Sequence, residues 1–260
     1  MELGLTHKVA LIAGGSSGLG LAVAEELVKE GAHVAIGARD AERLSRAEAH
    51  LRSLSRGGKV LATRVDLKEH GAAKAWVEDV ASRLGGPHIV VTNSAGPPPG
   101  PATKFDITAY QEAVDTVMLP AINLALASLP YMKAAKWGRL LLITSETVVR
   151  PVARFALSGT ARLGIVGFAS ALVQELGDCG VTVNVLAPGY TRTPPVERTA
   201  GTNTSGDVEA GLRAMAAHIP LRRVGEPEEF AAAAAFLASE RASFITGTVQ
   251  LIDGGASVIG

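Results

Sequence analysis

The sequence predicts an α/β fold: seven parallel strands in one doubly wound sheet with helices on both faces, with residues 1–260 forming a single domain. Three observations carry this. Short aliphatic and β-branched runs alternate with helical segments of ten or more residues, and such alternation requires crossover connections and therefore parallel pairing. Apolar residues make up 47% of the chain while aromatics reach only 4%, the aliphatic excess that strands covered on both faces need. A glycine-rich turn, GGSSGLG, separates the first strand from the first helix.

The elements follow in order. Residues 8–13 (KVALIA) read as a strand that breaks into the glycine turn. Residues 19–30 then repeat apolar side chains at helical spacing and stop at Gly31. Residues 32–38 form a second strand, 40–54 a charged amphipathic helix opening on Asp40, and 59–65 a third strand closed by Asp66. A helix over about 68–84 leads to a fourth strand at 88–92 (HIVVT). The loop 93–101 (NSAGPPPGP) lies just past that strand's carboxyl end, where ligands of such sheets bind, and its prolines stiffen it.

A long helix is expected over roughly 107–135, bent where Pro120 removes a hydrogen bond. Being apolar nearly all round, it should be covered by the sheet on one side and by a partner subunit on the other. Residues 139–167 supply a buried strand ending in Thr144 and Ser145, then a helix carrying Ser158 and Arg162 four residues apart, hence on one face. The sixth strand, 181–187, runs into PGYTRT at 188–193. Residues 194–220 are polar with one short helix, and 190–220 read as a mobile substrate lid. An alanine-rich helix at 226–239 and a last strand at 247–253 (GTVQLID) complete the chain.

Composition excludes several function classes. Lysine plus arginine and aspartate plus glutamate are equal at 25 each, so no global field attracts nucleic acid or anionic membrane. Cys179 is the only cysteine, which rules out an internal disulfide and makes a cysteine-based metal site implausible; a small packed hydrophobe is its simplest role. The six histidines are scattered without metal-ligand spacing, so no metal is expected. The N-terminus lacks a secretory pattern, and no apolar run approaches the roughly 20 residues of a spanning helix. The expectation is a soluble, cytoplasmic protein acting on a small molecule.

Gly14, Gly18 and Gly20, with Ser16, Ser17 and Leu19 between them, stand where strand passes into helix. Glycines there let the backbone approach a pyrophosphate lying against the helix N-terminus. The GxxxGxG spacing resembles that of the short-chain dehydrogenase/reductase family. So do, in the family's order, Asp66 after the third strand, NSAG at 93–96, PGYTRT at 188–193 and the terminal ITGTVQLIDGG. The resemblance spans nearly the whole chain. It implies a Rossmann-type nucleotide fold in which Asp66 and Leu67 meet adenine. Asn93, Ser94, Ala95 and Gly96 would line the cofactor, and Pro188, Gly189, Thr191 and Thr193 would bracket the nicotinamide. The PPPG and LSGTAR stretches look most like a subgroup similar to β-ketoacyl-ACP reductases that lacks the usual catalytic motif.

Arg39 follows the second strand, where relatives that prefer NAD usually carry an aspartate. A guanidinium can pair with a 2′-phosphate that a carboxylate would repel, so NADP is favoured, with NAD possible; as a surface residue, Arg39 would have no such role.

In the family's register Ser145 falls on the catalytic serine, Ser158 on the tyrosine, Arg162 on the lysine and Val117 on the helix asparagine. A serine hydroxyl ends roughly 4 Å short of a tyrosine oxygen and lacks the phenol's pKa of about 10. Arg162 keeps the positive charge but is a poor proton donor. Arg162 is also expected to reach ribose oxygens of the cofactor.

The leading expectation is an NADP(H)-dependent oxidoreductase of the β-ketoacyl reductase kind, interconverting a carbonyl and a secondary alcohol. Ser145, Ser158 and Arg162 would form its site, and the proton would come from water or Tyr190. A nucleotide-binding protein without redox turnover, or a lyase or isomerase on the same frame, are the alternatives. A homotetramer is expected from the surfaces similar proteins use.

Overall fold

The computed structural model describes residues 2–257. Its strands are β1 (Val9–Ala13), β2 (His33–Ala38), β3 (Val60–Arg64), β4 (Ile89–Thr92), β5 (Gly138–Ile143), β6 (Val181–Pro188) and β7 (Val249–Ile252). They form one sheet in the order β3-β2-β1-β4-β5-β6-β7, every pair parallel. Ala10 of β1 sits opposite Val34 on one side and Ile89 on the other. Strand order therefore reverses between β1 and β4, which opens a crevice beyond their carboxyl ends.

Strand side chains alternate between two cores with the period of two that a pleated strand imposes. Ile12, Ile36, Val91 and Leu141 pack on one face against α1 (Gly18–Lys29), α2 (Ala41–Leu54) and α9 (Pro227–Ala238). Leu11, Ala35, Val90 and Leu140 pack on the other against α3 (Ala72–Leu84), α5 (Leu119–Ala135) and α6 (Ala156–Glu175). Both faces being dry, the strands read as continuous aliphatic runs.

Several boundaries differ from expectation. The helix expected from about residue 68 begins at Ala72, because Asp66 captures the intervening backbone in a turn: its Oδ1 accepts from Lys68 N at 3.1 Å and its carbonyl from Glu69 N at 3.1 Å. The expected bent helix over 107–135 is α4 (Ile107–Ala113), a π-helical turn (Val114–Met118) and α5. Pro120 is the second residue of α5 and brings no N–H, so the irregularity lies in the turn before it. Gly164 of α6 lies against that turn so closely that a Cβ there would stand 2.2 Å from Met118 Sδ.

The segment after β6 holds two helices, α7 (Pro194–Asn203) and α8 (Val208–Ala216), where one was expected. They share a small core of Ala200, Leu212, Ile219 and Val224. The long helical stretch Ile107–Ala135 and α6 are, by length and composition, apolar enough to cross a membrane, which corrects the expectation that no run approaches that size. Their inner residues, among them Leu124, Met132, Ile165 and Leu172, pack on the sheet.

Candidate active site

The crevice at the strand ends collects nearly all the motifs. At its phosphate end the turn after β1 holds Gly14 at φ +63. A Cβ on Gly20 would lie 2.4 Å from the Gly14 carbonyl oxygen, so only glycine allows α1 to start this close to the strand. Ser17 caps α1 in extended conformation without a side-chain hydrogen bond, and no acidic residue occupies the first turn. The N–H groups of Gly18, Leu19 and Gly20 thus have no helical acceptor and face the crevice with the positive end of the helix, an arrangement that fits a diphosphate. Thr193 covers Gly18, its methyl carbon 3.4 Å from where a Cβ would be, and the Asn93 amide lies against Gly14.

At the adenosine end Arg39 is exposed just past β2. Asp40 beside it is the N-cap of α2. Its carboxylate accepts from Arg43 N at 3.0 Å and Arg43 Nε at 2.7 Å, capping α2, and these bonds hold its pKa below the usual range. Arg64, paired in register with Ala38, donates from Nε to the Arg39 carbonyl at 3.2 Å. Sequence reading missed Arg64, since only the β2–β3 pairing sets it beside Arg39. Leu67, Thr92, Ser94 and Val117 line a cavity of about 10 Å³ below the 93–96 loop, roughly the room of one water molecule. Val117, on the π turn, offers it no polar atom, whereas Thr92 Oγ1 is buried there without a partner.

The chemical end is built by β5 and α6. Ser145 stands two residues past the end of β5, and its Oγ accepts from Thr147 N at 3.3 Å as the cap of a short 3-10 turn that packs against α6. Ser158 and Arg162 are only 9% and 8% exposed. Arg162 Nη1 donates to Ser158 Oγ, and its Nε has no partner. Both terminal guanidinium nitrogens lie 3.8 Å from where a Gly96 Cβ would be, so α6 and the 93–96 loop meet at this cation. The loop is held there by Gly100 N donating to the Arg154 carbonyl at 2.6 Å. Burial pushes the Arg162 pKa down to about 10, which leaves it charged at neutral pH. Among the described residues Arg162 enters no ion pair.

The PGYTRT turn closes the far side. Pro188 ends β6, Gly189 N donates to the Ile252 carbonyl at 3.0 Å, and the Thr191 hydroxyl donates to the Gly189 carbonyl at 3.3 Å. Tyr190, considered as a proton donor, is partly buried and packs against the lid core of Ala200, Leu212, Ile219 and Val224. Glu146 was not foreseen. Ser145 is extended (φ −165, ψ 155), so consecutive side chains diverge and Glu146 points behind the turn. Its Oε2 lies 2.8 Å from a Cβ placed on Gly189 and has no hydrogen-bond partner. Burial raises its pKa to about 7, helped by Asp253 and opposed by Arg150. Among the described residues no cluster of His, Cys, Asp or Glu could hold a metal.

Comparison with known proteins agrees with this architecture. The family described as enoyl-(acyl carrier protein) reductase matches residues 13–257. A 3alpha-hydroxysteroid dehydrogenase of Mediterraneibacter gnavus is 30% identical over 98% of this chain and 99% of its own. Oxidoreductase UcpA of Salmonella typhimurium is 33% identical over 98% of this chain and 96% of its own. The crystal structure of L-sorbose reductase from Gluconobacter frateurii, complexed with NADPH and L-sorbose, superposes with a TM-score of 0.95 at 32% identity, covering both chains fully.

Proposed function

Since the chain belongs to the short-chain dehydrogenase/reductase family and is an oxidoreductase of a carbonyl/hydroxyl pair, we propose that it is NADP(H)-dependent and works through an atypical Ser145, Ser158 and Arg162 site. The observation that carries this is the meeting of a cradle open to a diphosphate with a buried, hydrogen-bonded Ser158–Arg162 pair at the end of β5.

NADP is favoured over NAD by charge. Arg39 and Arg64 flank the place of the adenosine ribose, and the Asp40 carboxylate is engaged by Arg43. A 2′-phosphate would find two guanidinium groups there. The sorbose reductase that this chain resembles binds NADPH.

The chain's own groups divide the remaining work. A hydroxyl has one donor and two acceptor sites. Ser145 Oγ accepts from Thr147 N, which leaves its O–H to hold the substrate oxygen. Ser158 Oγ accepts from Arg162, and a cation at that lone pair makes the Ser158 O–H a stronger donor toward charge developing on the same oxygen. A bound NADPH would supply the hydride for the carbonyl carbon, becoming NADP⁺; the substrate oxygen, held by Ser145 and Ser158, takes the C=O electron pair and a proton from water. Neither Ser158 nor Arg162 replaces a phenol as acid, so the proton comes from solvent.

Steady-state NADPH oxidation against a panel of ketones, sugars and 3-oxoacyl thioesters tests the reaction, and fluorescence titration tests the cofactor. Turnover with at least one carbonyl, and NADPH binding at least about tenfold tighter than NADH, are the expected results. Tight nucleotide binding with no turnover on any carbonyl would instead favour a protein that binds the nucleotide without redox chemistry.

A further inference from the structure

Among the described residues Arg162 is a buried cation without a counterion. Its one side-chain partner is the neutral Ser158 hydroxyl, and its Nε has none. Desolvation acts on its charge, and among the described residues no carboxylate offsets it. An isolated buried charge is costly, and structures keep one where a ligand neutralises it.

A second feature points the same way. Ser158 is the third residue of the 20-residue α6, whose first residue, Ala156, follows a cap, Phe155, that makes no side-chain hydrogen bond; the first turn holds no acidic side chain. The positive end of a long helix therefore lies beside the guanidinium, which reaches back toward it because helical side chains lean to the N-terminus; of its first N–H groups, Ala156 N donates to the Gly100 carbonyl at 3.4 Å. The dinucleotide's diphosphate does not account for this charge, because it has its own helix at α1. Asn93 lies at that cradle while Gly96 lies at Arg162. Ribose hydroxyls accept hydrogen bonds but do not neutralise a cation.

Building on the reading that the site reduces a carbonyl, we propose that the substrate brings its own carboxylate, held by Arg162 at the start of α6, while the carbonyl stands at Ser145. The substrate class is an oxo acid, or in the reverse direction a hydroxy acid, rather than a neutral ketone. The carboxylate is unchanged by the reaction. Arg162 then serves twice, as the anchor of the acid and as the cation behind Ser158.

Two measurements test this on the full-length protein. In the first, NADPH oxidation is followed with acetoacetate against methyl acetoacetate and with pyruvate against methyl pyruvate. At least one acid should exceed its ester by about tenfold or more in kcat/KM. Arg162→Gln should remove that preference chiefly through KM, and Arg162→Lys should restore part of it. In the second, melting of the protein is recorded with sodium malonate against malonamide in sodium chloride of equal ionic strength, with and without saturating NADPH. Malonate alone should raise the melting temperature, the rise should survive NADPH, and Arg162→Gln should abolish it.

Esters reduced as well as acids, or no malonate effect, would overturn the proposal. A malonate effect that NADPH cancels would also overturn it, by giving the cation to the cofactor. If malonate binds through Arg162 in the presence of NADPH but no carbonyl is reduced, the anion site stands and the reductase reading fails. Reduction of neutral ketones without malonate binding gives the opposite result.

Discussion

Arg162 and Glu146 show how function and stability oppose each other within single side chains. Replacing a buried, uncompensated ion by an apolar side chain of similar volume is often stabilising by about 1–4 kcal/mol. Arg162→Met is therefore expected to melt higher than the parent without ligands, by about 2–4 °C per kcal/mol for a chain near this size, while losing turnover; differential scanning fluorimetry beside an NADPH assay checks both. Glu146 is an acid whose folded pKa, about 7, lies above its ordinary 4.5. The folded state holds its proton more tightly, so its favourable contribution is complete below about pH 4.5 and is lost as pH rises through 7. Stability should fall with pH across that window, and Glu146→Gln should remove this part of the slope in melts at pH 5, 6, 7 and 8. That Ser158 and Arg162 share a helix face was legible from their spacing. That Arg162 is buried without an anion, and that Glu146 is an orphan behind Gly189, depends on neighbours from β6, α6 and the C-terminal turn that are remote in sequence.

Among the elements, the glycine turn is the least forgiving. Gly20→Ala places a methyl 2.4 Å from the Gly14 carbonyl oxygen, and backbone cannot yield that much without opening the cradle. Loss of NADPH binding by about tenfold or more is expected in a fluorescence titration, with circular dichroism reporting whether the fold survives. Gly164→Leu tests the other contact: overpacking α6 against Met118 should cost about 1–3 kcal/mol in urea unfolding and lower turnover by shifting Ser158 and Arg162. The strands were readable because burial on both faces leaves them no choice but aliphatic residues. The lid helices were only partly so, because Thr199, Gly201, Thr202 and Asn203 are poor helix formers. They are held instead by their own small core and by Arg192, which bridges Glu197 and Glu209 at 3.0 and 2.5 Å.

Over the whole molecule the outer sides of the long helices leave apolar surface: Leu126 of α5 is 48% exposed and Leu163 of α6 44%. Assembly into a homotetramer through this face remains our expectation. Light scattering should give four times the 26.7 kDa chain mass, and Leu126→Glu with Leu163→Glu should yield a smaller species. A monomeric parent would discard the assembly. The two helices that pass a length-and-composition test for spanning a membrane owe their apolarity to the sheet on one side and this uncovered face on the other.

By itself the sequence determined the order of strands and helices and the glycine turn, and it carried the proposal that Ser158, Arg162 and Val117 stand where the family has tyrosine, lysine and asparagine. These are local properties, written in the period of burial and in residue identity at fixed spacing. Tertiary structure alone decided that Arg64 joins Arg39, that the irregular turn precedes Pro120, that Tyr190 belongs to the lid core, and that Arg162 meets Gly96 with no carboxylate beside it. Each depends on which distant groups exclude water from a given atom. Burial and charge compensation come from the packed neighbours, and no window of sequence contains them.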